Sequence, residues 1–248
     1  MNRLGILDWG IGGISIYKLI KERIGDLPIV YFSDTGATPY GKMTRPELVA
    51  RLNEVIVYLQ SLGVTHLVIG CNAASTAIPY LKDIGIKVEG VIDSAVAETF
   101  KRKPTRLGLI GGRRTVVSGV YKKAFAKKDI EVEQRIAQPL SGLIESGDVS
   151  SQHLRGEAKR ILAPIRNCSH ILLACTHYPA ITPILKDLVS SDTRLIDPAG
   201  ALLRKIAHWK FETGGEDTFL TSGDPRMMKR AARLAFHVEI QSVAKIRL

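Results

Sequence analysis

A chain of 248 residues, 45% hydrophobic and 24% charged, has the composition of a folded protein with room for two compact domains, which excludes disordered and low-complexity architectures. No apolar run approaches the ~18 residues that a membrane span needs, and Asp8 with its following glycines interrupts the N-terminus too early for a signal peptide, so a cytoplasmic protein without a membrane partner is expected. The net charge of +11 is scattered over groups such as Lys101-Arg102-Lys103 and Lys127-Lys128 with no interleaved aromatics, so solvated helix faces account for most of it and nucleic acid is not expected as a partner.

In chain order, residues 3 to 7 read as a buried strand that runs into Asp8-Trp9-Gly10-Ile11-Gly12-Gly13 and then a helical pattern from Ile14 to Arg23. G-x-G-G lacks the spacing of a dinucleotide fingerprint, so the turn is expected to bring Asp8 and backbone N–H groups to a cleft at the carboxyl end of a strand. A strand at Ile29 to Phe32 leads into Asp34-Thr35-Gly36-Ala37-Thr38-Pro39-Tyr40-Gly41, a stretch too rich in turn formers to be only a connector and read as a binding loop. Pro46 opens a helix to about Leu62. A strand ending at Cys71, a helix from near Ala74 and a strand from Lys87 to Ile92 follow.

The second half repeats this grammar. Its first strand ends in Gly111-Gly112-Arg113-Arg114-Thr115, and Tyr121 to Lys128 is predicted as helix, Ile130 to Gln134 as strand, and Pro139 to Gly147 as a turn-rich segment carrying Glu145. A helix from about Ser151 to Ile165 precedes the strand that ends at Cys175, followed by Thr176-His177-Tyr178-Pro179. A strand at Leu195-Ile196-Asp197, a helix through Leu202 and Lys205, a strand from Phe219 to Ser222, a helix from Pro225 to Ala235 and a last strand from Val238 to Ile240 complete the chain.

Three segments echo one another at an offset of about a hundred residues, the size of a domain. Arg3-Leu4-Gly5-Ile6-Leu7 matches Arg106-Leu107-Gly108-Leu109-Ile110, the run ending in Cys71 matches the one ending in Cys175, and Val91-Ile92-Asp93 matches Leu195-Ile196-Asp197. The fold class expected is α/β, with two pseudo-symmetric flavodoxin-like lobes, parallel sheets, and the active site in the cleft between them. Residues 1–92 with 208–248 would form the first lobe and 93–207 the second.

Three cysteines cannot all pair within one chain, and no Cys/His spacing suggests zinc, so no metal is expected. Cys168, before its strand, reads as an inert thiol. Cys71 and Cys175 would each reach a shared cleft, and two facing thiols can take a proton from one face of a carbon and deliver one to the other. With an unperturbed pKa near ~8.5, a thiol serves as donor and acceptor at neutral pH, which makes a racemase without a cofactor. Asp8 near Cys71, and His177 two residues after Cys175, could assist the thiols, with Glu145 holding His177. The competing readings are a helix cap, a core-edge histidine and a solvated carboxylate.

The stretches Asp8 to Gly13, Asp34 to Gly41, Cys71 to Ser75, Thr115 to Tyr121, Glu145 to Gly147, Cys175 to Pro179 and Ser222 to Pro225 together resemble glutamate racemase of the aspartate/glutamate racemase superfamily. The resemblance implies a cofactor-independent enzyme with a small amino acid as its partner, making a D-amino acid of the kind used in the peptidoglycan cell wall. It also implies Cys71 and Cys175 as the acid/base pair, assisted by Asp8, Glu145 and His177. Substrate-binding positions would be Trp9, Pro39, Tyr40, Gly41, Asn72, Ala73, Arg114, Thr115 and Thr176. A homodimer is left open.

Three of these positions depart from the family pattern. Trp9 stands where serine is usual, Ala73 where threonine is usual, and Arg114 where a small residue is usual. Two lost hydroxyls and an added indole lead to the expectation that glutamate binds weakly and that a smaller or differently charged amino acid is preferred. Within the superfamily, maleate-isomerase-like and hydantoin-racemase-like enzymes are alternatives, and an arylmalonate-type decarboxylase, needing one cysteine, is not favoured. From another class, a decayed racemase fold serving as a binding protein is the rival.

Overall fold

The computed structural model describes residues 2–82, 84–211 and 214–248. Among the described residues, ten strands build two parallel sheets: β1 (Arg3–Asp8), β2 (Ile29–Ser33), β3 (Val64–Ile69), β4 (Lys87–Gly90), β5 (Leu107–Gly111), β6 (Val132–Ile136), β7 (His170–Ala174), β8 (Arg194–Ile196), β9 (Thr218–Thr221) and β10 (Ala244–Lys245). The first sheet has the order β10-β9-β2-β1-β3-β4 and the second β6-β5-β7-β8. In each, the first strand of the unit lies between the second and third, with the fourth outside, and every pairing is parallel. The central strands β1, β5 and β7 are apolar almost throughout because helices cover both of their faces.

The ladder registers test the duplication strand by strand. Gly5 pairs with Val30 and Leu67, and Gly108 pairs with Glu133 and Ile171, so the first three strands of the units correspond at the offset seen in the sequence. The fourth does not. Val68 lies beside Glu89, whereas its counterpart Leu172 lies beside Ile196, which makes Ile196 equivalent to Glu89 and not to Ile92. Val91 and Ile92 instead open a helix, Val91–Arg102, with Gly90 extended at its N-cap and Asp93 in its first turn. Its buried face, which includes Val91, Ala95 and Glu98, has the helical period.

Other elements follow their local chemistry. Thr44 and Glu47 form a capping box at the start of helix Arg45–Ser61, which buries Leu48, Leu52, Val55, Ile56 and Leu59 against the first sheet. The segment predicted as turns at Pro139 to Gly147 is a helix, Gln138–Glu145, with buried Leu140 and Ile144 on one face and Pro139 in its first turn. Val238 to Ile240 is not a strand. Helix Pro225–Phe236 ends at His237 in the left-handed conformation, Ile240 packs into the core, and Ala244–Lys245 pairs with β9 instead. No helix among the described residues is long and apolar enough to cross a membrane.

Candidate active site

Asp8 ends β1, Cys71 lies two residues beyond β3 and Cys175 directly follows β7, so three polar side chains emerge at the carboxyl ends of central parallel strands. All three line one cavity of about 340 Å³ between the sheets. Both cysteines are half-buried there, while Cys168 is fully buried elsewhere. Trp9, Pro39, Tyr40, Gly41, Asn72, Ala73, Arg114, Thr115, Thr176 and His177 line the same cavity. Glu145 stands behind it.

The second sheet's groups reach across to the glycine turn after β1. Glu145 Oε2 pairs with His177 Nε2 at 2.7 Å and accepts the Ile11 N–H at 2.9 Å, while Thr176 Oγ1 donates to Asp8 Oδ2 at 2.8 Å. His177 Nδ1 lies 3.6 Å from Cys175 Sγ. The glycines are required by this approach: a Cβ on Gly10 would run into the Glu145 carboxylate, and one on Gly12 would meet Thr176 Oγ1 and lie 2.7 Å from His177 Nδ1.

Burial and charge set the protonation states. Burial raises Asp8 above the usual carboxylate range against the opposing pull of His177 and Thr176. Burial, and then the Asp8 charge, holds the Cys71 thiol well above its ordinary value. Burial works against a charged His177, but its interactions with Cys175 and then with Glu145 outweigh it and hold the imidazole well above its ordinary value. A doubly protonated ring also satisfies both of its neighbours, since each nitrogen then donates, one to Cys175 and one to Glu145. One thiol is thus kept protonated while the other sits beside a cation.

The binding loop is held from beneath. Asp34, fully buried, accepts two bonds from Arg51 at 2.8 and 2.6 Å, one from the Tyr40 hydroxyl at 2.7 Å and one from Ser222 Oγ at 2.7 Å. Tyr121 donates to Asn72 Oδ1 at 2.7 Å, which fixes the amide, and the buried Asn72 Nδ2 has no partner among the described residues. Two of the three departures from the family pattern are occupied: the Trp9 indole donates to Ala37 O at 3.2 Å, and Arg114 donates to Thr76 Oγ1 and Met43 O at 3.0 and 2.6 Å. Trp9 therefore staples the first turn to the binding loop rather than aiming its N–H into the cavity.

Several lining residues were not singled out in the sequence. Gln138, Ser141 and Gly142 belong to the helix mistaken for turns, although Pro139 was a helix-start signal. Lys42 and Arg113 flank residues that were named, and with Arg114 they make the lining cationic, against Asp8 as its one carboxylate.

The sequence pattern of the Asp/Glu/Hydantoin racemase family matches residues 4–206. The chain is 31% identical to the glutamate racemase of Gloeobacter violaceus over 97% of its own length and 96% of that protein's. It is 30% identical to the glutamate racemase of Bacillus cereus, covering 100% of this chain and 98% of the relative. Among solved structures, the glutamate racemase of Francisella tularensis in complex with D-glutamate superposes with a TM-score of 0.86 at 25% identity, covering 99% of this chain and 97% of that one. The chain belongs to the Asp/Glu/hydantoin racemase family and is an isomerase.

Proposed function

We propose that this enzyme inverts the Cα of glutamate by proton transfer between Cys71 and Cys175. The observation that carries the reading is the pairing of two thiols from equivalent strand ends in one cavity, each with a different polar neighbourhood. With substrate bound, Cys175 as thiolate beside protonated His177 takes the Cα proton and forms an S–H bond, and the Cys71 thiol gives its proton to the opposite face. The product has inverted configuration, the two sulfurs have exchanged protonation states, and solvent exchange restores them. In the reverse direction the roles interchange.

The carbanion formed between these steps carries its charge into the α-carboxylate. Asn72 Nδ2, held by Tyr121, and the hydroxyl of Thr115 are the donors that would stabilise it. Lys42, Arg113 and Arg114 give the cavity a positive balance that suits a second carboxylate. The named activity of full-length relatives at about this similarity supports glutamate. One observation favours aspartate as a second reading: Trp9, an indole where the family pattern has a serine, is among the residues that line the cavity.

The test is circular dichroism of pure L- and D-glutamate and of both aspartates, incubated with the wild type, Cys71→Ala and Cys175→Ala. Loss of the glutamate signal with wild type alone supports the proposal. A signal lost only from aspartate moves the substrate, and full activity in either cysteine variant overturns the two-thiol chemistry.

A further inference from the structure

A second cavity, of about 280 Å³, opens beside the first and is lined by Gly41, Arg45, Arg113, Arg114, Val117 and Ser118. Gly41, Arg113 and Arg114 line both cavities, so the second lies at the mouth of the first. Three guanidinium groups face it without an acid in the lining, and among the described residues none of the three forms an ion pair. Such an accumulation of like charge is costly unless an anion offsets it.

Two of the three groups are also held in place. The Arg45 guanidinium lies over the Tyr80 ring, 4.4 Å from its centroid. Arg114 is fixed by its bonds to Thr76 Oγ1 and Met43 O, which leave other N–H groups of its fork unused. Burial, followed by the Arg45 charge, makes its cation harder to keep than usual, as expected of two guanidiniums that approach each other. Arg45 begins a helix packed on the first sheet, whereas Arg113 and Arg114 follow the first strand of the second sheet. A ligand bound to all three would tie the two sides of the cleft together across its entrance.

We infer that Arg45, Arg113 and Arg114 form a site for a small polyanion, a ligand with clustered phosphate or carboxylate groups, whose binding at the mouth of the cleft slows racemisation. Guanidinium forks match both oxyanions bidentately, and a ligand with several charges can engage forks on both sides where a single carboxylate cannot. The inference goes beyond the proposed substrate, and its binding measurement reads the site whichever amino acid is turned over.

The experiment titrates tripolyphosphate and, separately, citrate into the full-length wild type, Arg45→Ala and Arg45→Glu by isothermal titration calorimetry, at ionic strength matched with sodium chloride. Arg45 lines only the outer cavity, so both variants keep the substrate-facing residues. Racemisation is followed in the same solutions. The expected result is saturable binding of at least one probe at one site, weakened about tenfold or more in Arg45→Ala, absent in Arg45→Glu, and accompanied in the wild type by a fall in turnover that tracks occupancy. Binding of tripolyphosphate alone identifies phosphate-bearing ligands, and binding of citrate alone identifies polycarboxylates. No saturable binding by either probe, equal affinity in Arg45→Glu, or filling of the site with turnover unchanged overturns the inference.

Discussion

At the scale of single residues, the site is built to hold protons. Asp8, Cys71 and His177 all have folded-state pKa values above their ordinary ones, so at these three groups the folded protein binds more protons than the unfolded chain. Their contribution to stability must then fall as pH rises through each interval, from about 3.9 upward for Asp8, about 6.5 for His177 and about 8.5 for Cys71. For His177 the stabilising contribution is complete below its unfolded value and is lost as pH rises through the folded one. Thermal melts of the wild type should therefore decline between neutral and alkaline pH more steeply than those of His177→Gln. Equal slopes would contradict the assignment. Asp8→Asn removes a buried carboxylate that burial disfavours, so at pH 7 it should raise the melting temperature while activity is lost, a trade-off expected where function requires an unfavourable group.

Trp9 and Ala73 bear on affinity. If the missing hydroxyls leave substrate groups unpaired, each costs about 1–3 kcal/mol, or roughly tenfold or more in binding. Trp9→Ser with Ala73→Thr should lower KM for glutamate by about a hundredfold in steady-state racemisation assays, and an unchanged KM would mean that the indole, tied to Ala37, does not contact the substrate. The residues proposed to transfer protons stood out in the sequence because they lie beside repeated strands. The use made of Trp9 was not, since its partner Ala37 is a backbone carbonyl in a loop whose path depends on Asp34.

At the scale of elements, the glycine turn after β1 serves the approach of the second sheet's side chains rather than a phosphate. Gly12→Ala should displace Thr176 and His177 and reduce kcat by about 10²-fold or more, with far-UV circular dichroism unchanged. The loop from Asp34 to Gly41 depends on a buried ion pair, and Arg51→Ala leaves Asp34 charged without its partner, which typically costs about 3–5 kcal/mol. Urea unfolding should show that loss. Strands β1, β5 and β7 were legible because burial on both faces gives continuous apolar runs. Helix Gln138–Glu145 was not, because Pro139, Ser141 and Gly142 are turn formers and only packing of Leu140 and Ile144 into the core reveals its period. Helix Val91–Arg102 was misread for the converse reason, its first two residues being β-branched and apolar.

At the scale of the molecule, two units with the same strand order explain why two thiols meet in one cavity. The duplication was readable in three strands and failed in the fourth, where loop lengths changed and a Val-Ile pair imitated a match. The return of β9 to β2 left no periodic signal of its partner, because a parallel edge is chosen by tertiary packing. The symmetric product of this asymmetric site imposes a further condition: racemisation has an equilibrium constant of one, so kcat/KM must be equal in both directions at every pH, and any difference between Cys71 and Cys175 must appear in kcat and KM separately.

The most direct measurement of the central claim is proton NMR of L- and D-glutamate in D2O with the wild type, Cys71→Ala and Cys175→Ala. The wild type should wash out the Cα–H signal of both enantiomers while inverting them. Each single variant should fail to invert, and any residual exchange should be confined to one enantiomer, a different one for each variant, because the remaining sulfur faces only one side of the carbon. Inversion by either variant at the wild-type rate, or wild-type inversion that leaves the Cα proton unexchanged throughout, would contradict proton transfer between two thiols.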